Sequence, residues 1–103
     1  MIQVSVMYAN TPGARFDFDY YNGPHVDLVR RTLEPAGLVE LRNLKGIGGG
    51  EPGSEPPYLV IGLLTFNTME DFQKGMSLMG EPMRDIPNYT DLQPIIQVNE
   101  VMP

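Results

Sequence analysis

Residues 58–66 read YLVIGLLTF. In an extended chain Leu59, Ile61 and Leu63 point to one face and Val60, Leu64 and Phe66 to the other. A short run that is apolar on both faces predicts a central, covered strand.

Working outward from this strand sets the order of elements. Leu38 to Lys45 reads as the strand before it. The two are joined by GIGGGEPGSEPP, a loop with no room for regular structure. At the N-terminus IQVSVMY alternates, with Ile2, Val4, Val6 and Tyr8 on one face and Gln3, Ser5 and Met7 on the other. That is a strand, ended by Asn10-Thr11-Pro12-Gly13. Asp17 or Asp19 can cap a helix running to about Glu34, where Pro35 stops it. Phe18, Tyr21, His25, Leu28 and Val29 recur at helical spacing on one face. Pro24 lies inside this helix, has no N–H for the Tyr20 carbonyl, and crowds it. A kink or a short first turn is expected there.

Past residue 66, Thr68 caps a second helix with Asp71 at the capping-box position. Met69, Phe72, Met76, Met79 and Met83 form an amphipathic stripe, interrupted by Gly80-Glu81-Pro82. Asp85 to Asp91 is an irregular turn with about one helical turn. Pro94 to Val101 is a last strand, suited to an edge because proline opens it.

The order is β-α-β-β-α-β over a single domain, residues 1–103. It predicts an α+β, ferredoxin-like split βαβ fold: an antiparallel sheet with both helices on one face. The other face is left open. A wet row of three large aliphatic side chains costs roughly 4–8 kcal/mol, so a second subunit is expected to cover it in a homodimer.

Composition narrows the function classes. Thirteen acids against seven bases give a net charge of −6. Such a chain repels phosphate backbones and anionic membranes, so neither nucleic acid nor membrane is an expected partner. With no cysteine, thiol nucleophiles, disulfides and cysteine-ligated metals are excluded. The start MIQVSVMYAN lacks the features of a signal peptide, and no window is long enough for a membrane span. A cytoplasmic location is the expectation.

Several motifs fail on inspection. From Gly46 the pattern G-x-G-x-x-G puts Glu51 in the third glycine's place, and no helix follows. A flexible connection, or a lid over a pocket, fits better. The methionine stripe could suggest copper, but its spacing is that of a packed helix face. One histidine is too few for zinc, and no metal site is expected. Ser5, Ser54 and Ser77 are scattered, without a nucleophile elbow.

What remains is FDFDYYNGPH, residues 16–25, with four aromatic rings, two carboxylates and the single histidine. Read from the residues alone, His25 is either a satisfied histidine between helix and sheet or a general base or acid in an apolar cleft. Tyr21 lies one turn before it and can touch its ring. Tyr20 points to the rim. Asp85 either caps the following turn or folds back to hold one imidazole nitrogen. Asn88 and Tyr89 either join the same wall or form a plain turn.

FDFDYYNGPH, the Gly-Pro loop before Tyr58, and DIPNYTDLQPIIQVNEV together resemble the EthD family, in order from Tyr8 to Val101. The most specific piece is D-Y-Y-x-x-x-H. The resemblance implies a ferredoxin-like fold of the dimeric α+β barrel group. The family is named for an association with bacterial degradation of ethyl tert-butyl ether beside a cytochrome P450 system, and is broadly oxidoreductase-related. Related barrels include cofactor-free oxygenases, muconolactone isomerases and polyketide cyclases. In several, a histidine and tyrosines work between helices and sheet; the matching positions are Tyr20, Tyr21 and His25.

The resulting expectation is a small catabolic enzyme needing no cofactor, acting on a small hydrophobic ligand of aromatic or ether-derived, oxygenated type. His25 would exchange a proton, Tyr21 would orient an oxygen, and Asp85 would hold the imidazole. Tyr20, Phe18, Asn88 and Tyr89 would bind substrate. The alternative is a non-catalytic accessory protein that binds a hydrophobic intermediate for a partner oxygenase.

Overall fold

In the computed structural model, which describes residues 1–103, four strands form one antiparallel sheet: β1 (Ile2–Ala9), β2 (Leu38–Lys45), β3 (Tyr58–Phe66) and β4 (Ile95–Glu100). Their spatial order is β2-β3-β1-β4, the ferredoxin-like arrangement of an α+β fold. The two most apolar strands are internal. β4, opened by Pro94, takes an edge.

Register decides which side chains meet the helices. Val4 lies opposite Leu64, Val6 opposite Gly62, and Tyr8 opposite Val60. This face carries the core. Val4, Leu64 and Phe66 pack with Val29 and Leu33, while Tyr8 and Val60 pack with Tyr21 and Tyr89.

The first helical segment departs from a simple kinked helix. Asp17 caps it, its side chain accepting the Tyr20 N–H at 3.0 Å. One α-turn, α1 (Phe18–Tyr20), runs into a π-helical segment, Tyr21–His25, and then into α2 (Val26–Leu33). Val26 N–H reaches back five residues to the Tyr21 carbonyl. The wider turn spans Pro24, which has no N–H to offer. It also inserts one residue into the helical repeat and moves the buried stripe by one position. Val26 is buried with His25, Val29 and Leu33, and Leu28, expected on that face, is only half-buried.

The second helical segment is also divided. Thr68 caps α3 (Met69–Met76) by accepting the Asp71 N–H at 3.1 Å. The chain turns through Ser77–Met79 and resumes as α4 (Gly80–Asp85), followed by a 3₁₀ turn at Ile86–Asn88. The methionine stripe is not uniformly core. Phe72 and Met79 pack on the Val4–Phe66 cluster, whereas Met69 and Met83 are exposed.

The other sheet face has no cover within the chain, so β3 is buried on one face and not on both. One register row crosses all four strands as Leu44, Ile61, Met7 and Ile95. Leu44 and Ile95 are exposed, and Met7 and Ile61 are partly so. The glycine-rich loop folds on itself, with Gly49 N–H donating to the Ser54 carbonyl, and lines a shallow depression of its own. It contributes nothing to the walls of the cavity beside His25, so it is not a lid there. No helix is long and apolar enough to cross a membrane.

Candidate active site

His25 sits at the end of the π-helical segment and is 7% exposed. A π turn places its side chain where a regular helix would not, and such turns gather at functional sites. The 3₁₀ turn that follows α4 brings the other half of the site across the sheet. Asp85 Oδ2 lies 2.9 Å from His25 Nδ1. Asp85 Oδ1 accepts from the Tyr20 hydroxyl at 2.7 Å and from Asn88 Nδ2 at 2.9 Å.

On the opposite edge of the imidazole, Nε2 lies 3.3 Å from the Tyr89 hydroxyl. That hydroxyl also meets the Tyr8 hydroxyl at 2.5 Å. Tyr89 and Tyr8 are almost wholly buried. The His25 ring lies nearly parallel to Tyr21, with centroids 5.7 Å apart and planes at 21°.

Charge and donor direction follow from this geometry. Burial pulls the His25 pKa below its usual 6.5, against the opposing hydrogen bond and charge of Asp85. For Asp85, burial raises the pKa, but hydrogen bonds from Asn88, His25 and Tyr20 outweigh it and bring it below 3.8. At neutral pH the pair is therefore a neutral imidazole beside a carboxylate. A carboxylate only accepts, so Nδ1 carries the proton and Nε2 keeps a lone pair. Tyr89 then donates to Nε2, and Tyr8 donates to Tyr89. Burial raises the pKa of both phenols, which keeps them protonated as donors.

A cavity of about 50 Å³ lies between this segment and the sheet. Its wall is almost wholly hydrocarbon, including Val6, Leu64 and Met79; His25, Tyr21 and Asn43 border it with little polar surface turned into it. The Tyr21 hydroxyl donates to Asn43 Oδ1 at 3.0 Å, and burial raises the Tyr21 pKa. Gly62 makes room for this pair, since a Cβ there would lie 3.0 Å from the Tyr21 oxygen and 3.2 Å from Asn43 Oδ1.

The sequence-derived candidates fall into four places. His25 and Tyr21 line the cavity. Asp85, Tyr20 and Asn88 form the carboxylate cluster behind the imidazole, with Asn88 exposed, and none of the three lines the cavity. Tyr89 is a buried donor facing Nε2. Phe18 packs on the Tyr8–Tyr21–Tyr89 cluster but does not line this cavity: Lys45 lies 4.4 Å over its ring, and it borders an open depression with Asp19, Asn22 and Leu44 that Tyr21 and Asn43 also line. The wall of the imidazole cavity is thus not built by Phe18, Tyr20, Asn88 or Tyr89, unlike the expectation from sequence.

Three participants carry weaker sequence signals. Tyr8 ends an alternating strand. Asn43 is a polar residue in phase with Leu41 on the covered face of β2. Gly62 interrupts an otherwise bulky central strand, a mark of close approach. Nowhere do three or more His, Asp or Glu side chains gather as a metal cluster.

No family model and no curated protein matches this chain. Solved structures do. An EthD-like protein from Ralstonia eutropha is 35% identical, with a TM-score of 0.90 over 99% of this chain and 92% of its own. An ethyl tert-butyl ether degradation (EthD) family protein from Bacillus halodurans is 19% identical, with a TM-score of 0.74 over 99% of each chain. A dimeric ferredoxin-like protein from an uncultured marine organism shares the fold at 9% identity, with a TM-score of 0.63 over 100% of this chain and 96% of its own. With its topology, its aromatic-histidine segment and a full-length relative at that level of identity, the chain belongs to the EthD-like family.

Proposed function

We propose that the protein is a small catabolic enzyme of oxidoreductase-related type that needs no cofactor and acts on a small, hydrophobic, oxygenated compound in the cytoplasm. The observation that carries this reading is the 2.9 Å contact between His25 Nδ1 and Asp85 Oδ2 beside an apolar cavity. A neutral imidazole with an ionised partner behind it is a proton acceptor whose charged product is stabilised as it forms. The Nε2 contact with Tyr89 is long, whereas the Tyr89–Tyr8 contact is short. Tyr89 is therefore held mainly by Tyr8, and a substrate O–H or acidified C–H entering from the cavity competes for the Nε2 lone pair. Tyr21, braced by Asn43, orients the substrate oxygen. Asp85 acts through the imidazole, and Asn88 and Tyr20 hold Asp85.

Aromatic and ether-derived compounds are the first substrates to test, given the ether in the Bacillus protein's family name. Turnover of such a panel, run with and without oxygen, separates oxygenation from isomerisation or cyclisation. Removal of a general base costs about 10²–10⁴ in rate. His25→Ala should lose activity on that scale while keeping a dispersed amide spectrum. A folded His25→Ala variant as active as the parent contradicts the proposal.

One observation favours a second reading, an accessory protein that binds a hydrophobic intermediate for a partner oxygenase. No buried side-chain N or O atom lacks a hydrogen-bond partner, so the site is internally satisfied. Under that reading His25→Phe binds ligand almost as the parent does, and no compound turns over.

The active unit is a homodimer in this proposal. The Leu44-Ile61-Met7-Ile95 row is the patch a second copy would cover, and the marine neighbour is itself dimeric.

A further inference from the structure

Beside the cavity that His25 borders lies a second one, of about 60 Å³. Its walls are hydrocarbon throughout, with Met76, Met83, Ile86, Pro94 and Ile96 among them. The two chambers share only Val6, Leu64 and Met79. Val6 and Leu64 belong to the sheet floor, on β1 and β3. Met79 is the one shared residue of the helical layer, so its side chain is the partition.

Neither chamber is large enough for a ring. An apolar cavity of roughly 150 Å³ is the scale that admits benzene. The two chambers, of about 50 and about 60 Å³, approach that scale only when the space occupied by Met79 is added. Met79 is suited to vacate it. Its side chain is unbranched with three rotatable bonds. It lies in the turn between α3 and α4, outside either helix, and is half-buried. On the far side, Met83 and Ile96, which are 44% and 49% exposed, line the second chamber.

We infer that Met79 is the specificity-determining residue of the site. It separates an inner chamber, the one that His25, Tyr21 and Asn43 border, from an outer chamber that takes hydrocarbon. The ligand class is an oxygenated head, such as a phenol, bearing an apolar tail that passes Met79 into the outer chamber. This inference rests on the reading of the His25 cavity as a ligand site.

Binding of phenol and 4-propylphenol to the full chain tests it, in the parent, Met79→Ala and Leu41→Ala. Leu41 lines only the inner chamber, so its truncation enlarges that chamber and leaves the partition standing. Calorimetry gives affinity, and the NMR signal of the single histidine reports whether the head reaches it. Each buried methylene is worth about fourfold in affinity. Met79→Ala should bind 4-propylphenol at least ~10-fold tighter than phenol, and Leu41→Ala should show less than about threefold preference. Both ligands should move the His25 signal. Equal tail preference in the two variants, or none in Met79→Ala, overturns the partition while leaving the pocket. Binding that leaves the His25 signal unmoved, or no binding by any variant, overturns the pocket and the partition with it. Met79→Val serves if the amide spectrum shows Met79→Ala to be unfolded.

Discussion

His25 Nδ1 and Asp85 Oδ2 meet at 2.9 Å across 60 residues of chain. One group ends the π-helical segment and the other ends α4, so their contact ties the two helical segments together over the sheet. The same contact sets the imidazole tautomer and leaves the Nε2 lone pair facing the Tyr89 hydroxyl. Fold and candidate chemistry therefore depend on one pair, and its titration has a consequence for stability.

The His25 pKa lies below 6.5 in the folded chain, chiefly through burial. Below that value the unfolded chain binds more protons than the native one, so stability is complete above 6.5 and falls as pH drops toward the folded value. Asp85 acts with the same sign in a lower window: its folded pKa is below 3.8, and its contribution is lost as pH falls through and beneath that value. Urea unfolding should show a lower midpoint at about pH 5 than at about pH 7, and His25→Phe should flatten that fall. A midpoint that rises on acidification over this range would contradict the assignment.

Gly62→Ala should be destabilising by about 1–2 kcal/mol, although alanine usually suits a strand better than glycine. The new methyl would press on the Tyr21 oxygen and Asn43 Oδ1. Tyr21 has little room to give way, being packed against Tyr8, Phe16, His25 and Tyr89. Removing the hydroxyl with Tyr21→Phe should relieve the clash, so the cost of Gly62→Ala shrinks in that background. Strict additivity in the double-mutant cycle would show that the glycine is not there for the hydroxyl.

Much of this architecture is legible in the sequence. β2 and β3 have the bounds that their apolar pattern predicts, and Asp17 and Thr68 cap as their positions suggest. These features depend on neighbours along the chain. The buried stripe of the first helix is less legible because Pro24 produces an inserted π turn in place of a kink, which substitutes Val26 for Leu28. The approach of Asp85 to His25, the Tyr8–Tyr89 pair and the Asn43–Tyr21 pair are long-range, joining residues 60, 81 and 22 positions apart. Local spacing carries no information about such contacts. Gly62 and Asn43 did leave a trace, each breaking the pattern of its strand where a side chain from the helix arrives.

The open sheet face yields a separate test. Ile61→Lys puts a charge at the centre of the row formed with Leu44, Met7 and Ile95. If that row is a dimer interface, sedimentation at micromolar concentration should give a dimer for the parent and a monomer for the variant. The row is apolar enough that the substitution should also raise the solubility of the isolated chain. A parent chain that sediments as a monomer contradicts the homodimer.

The central claim is that His25 is a neutral base whose Nδ1 carries the proton, donated to Asp85, and whose Nε2 carries none. Nitrogen-15 NMR of the imidazole tests it most directly, because the chain has one histidine and the signals need no assignment. At about pH 7 the account predicts a protonated Nδ1 and an unprotonated Nε2, with a pKa below 6.5 that drops further in Asp85→Asn. An imidazolium at that pH, or a proton on Nε2 with Nδ1 bare, would contradict it.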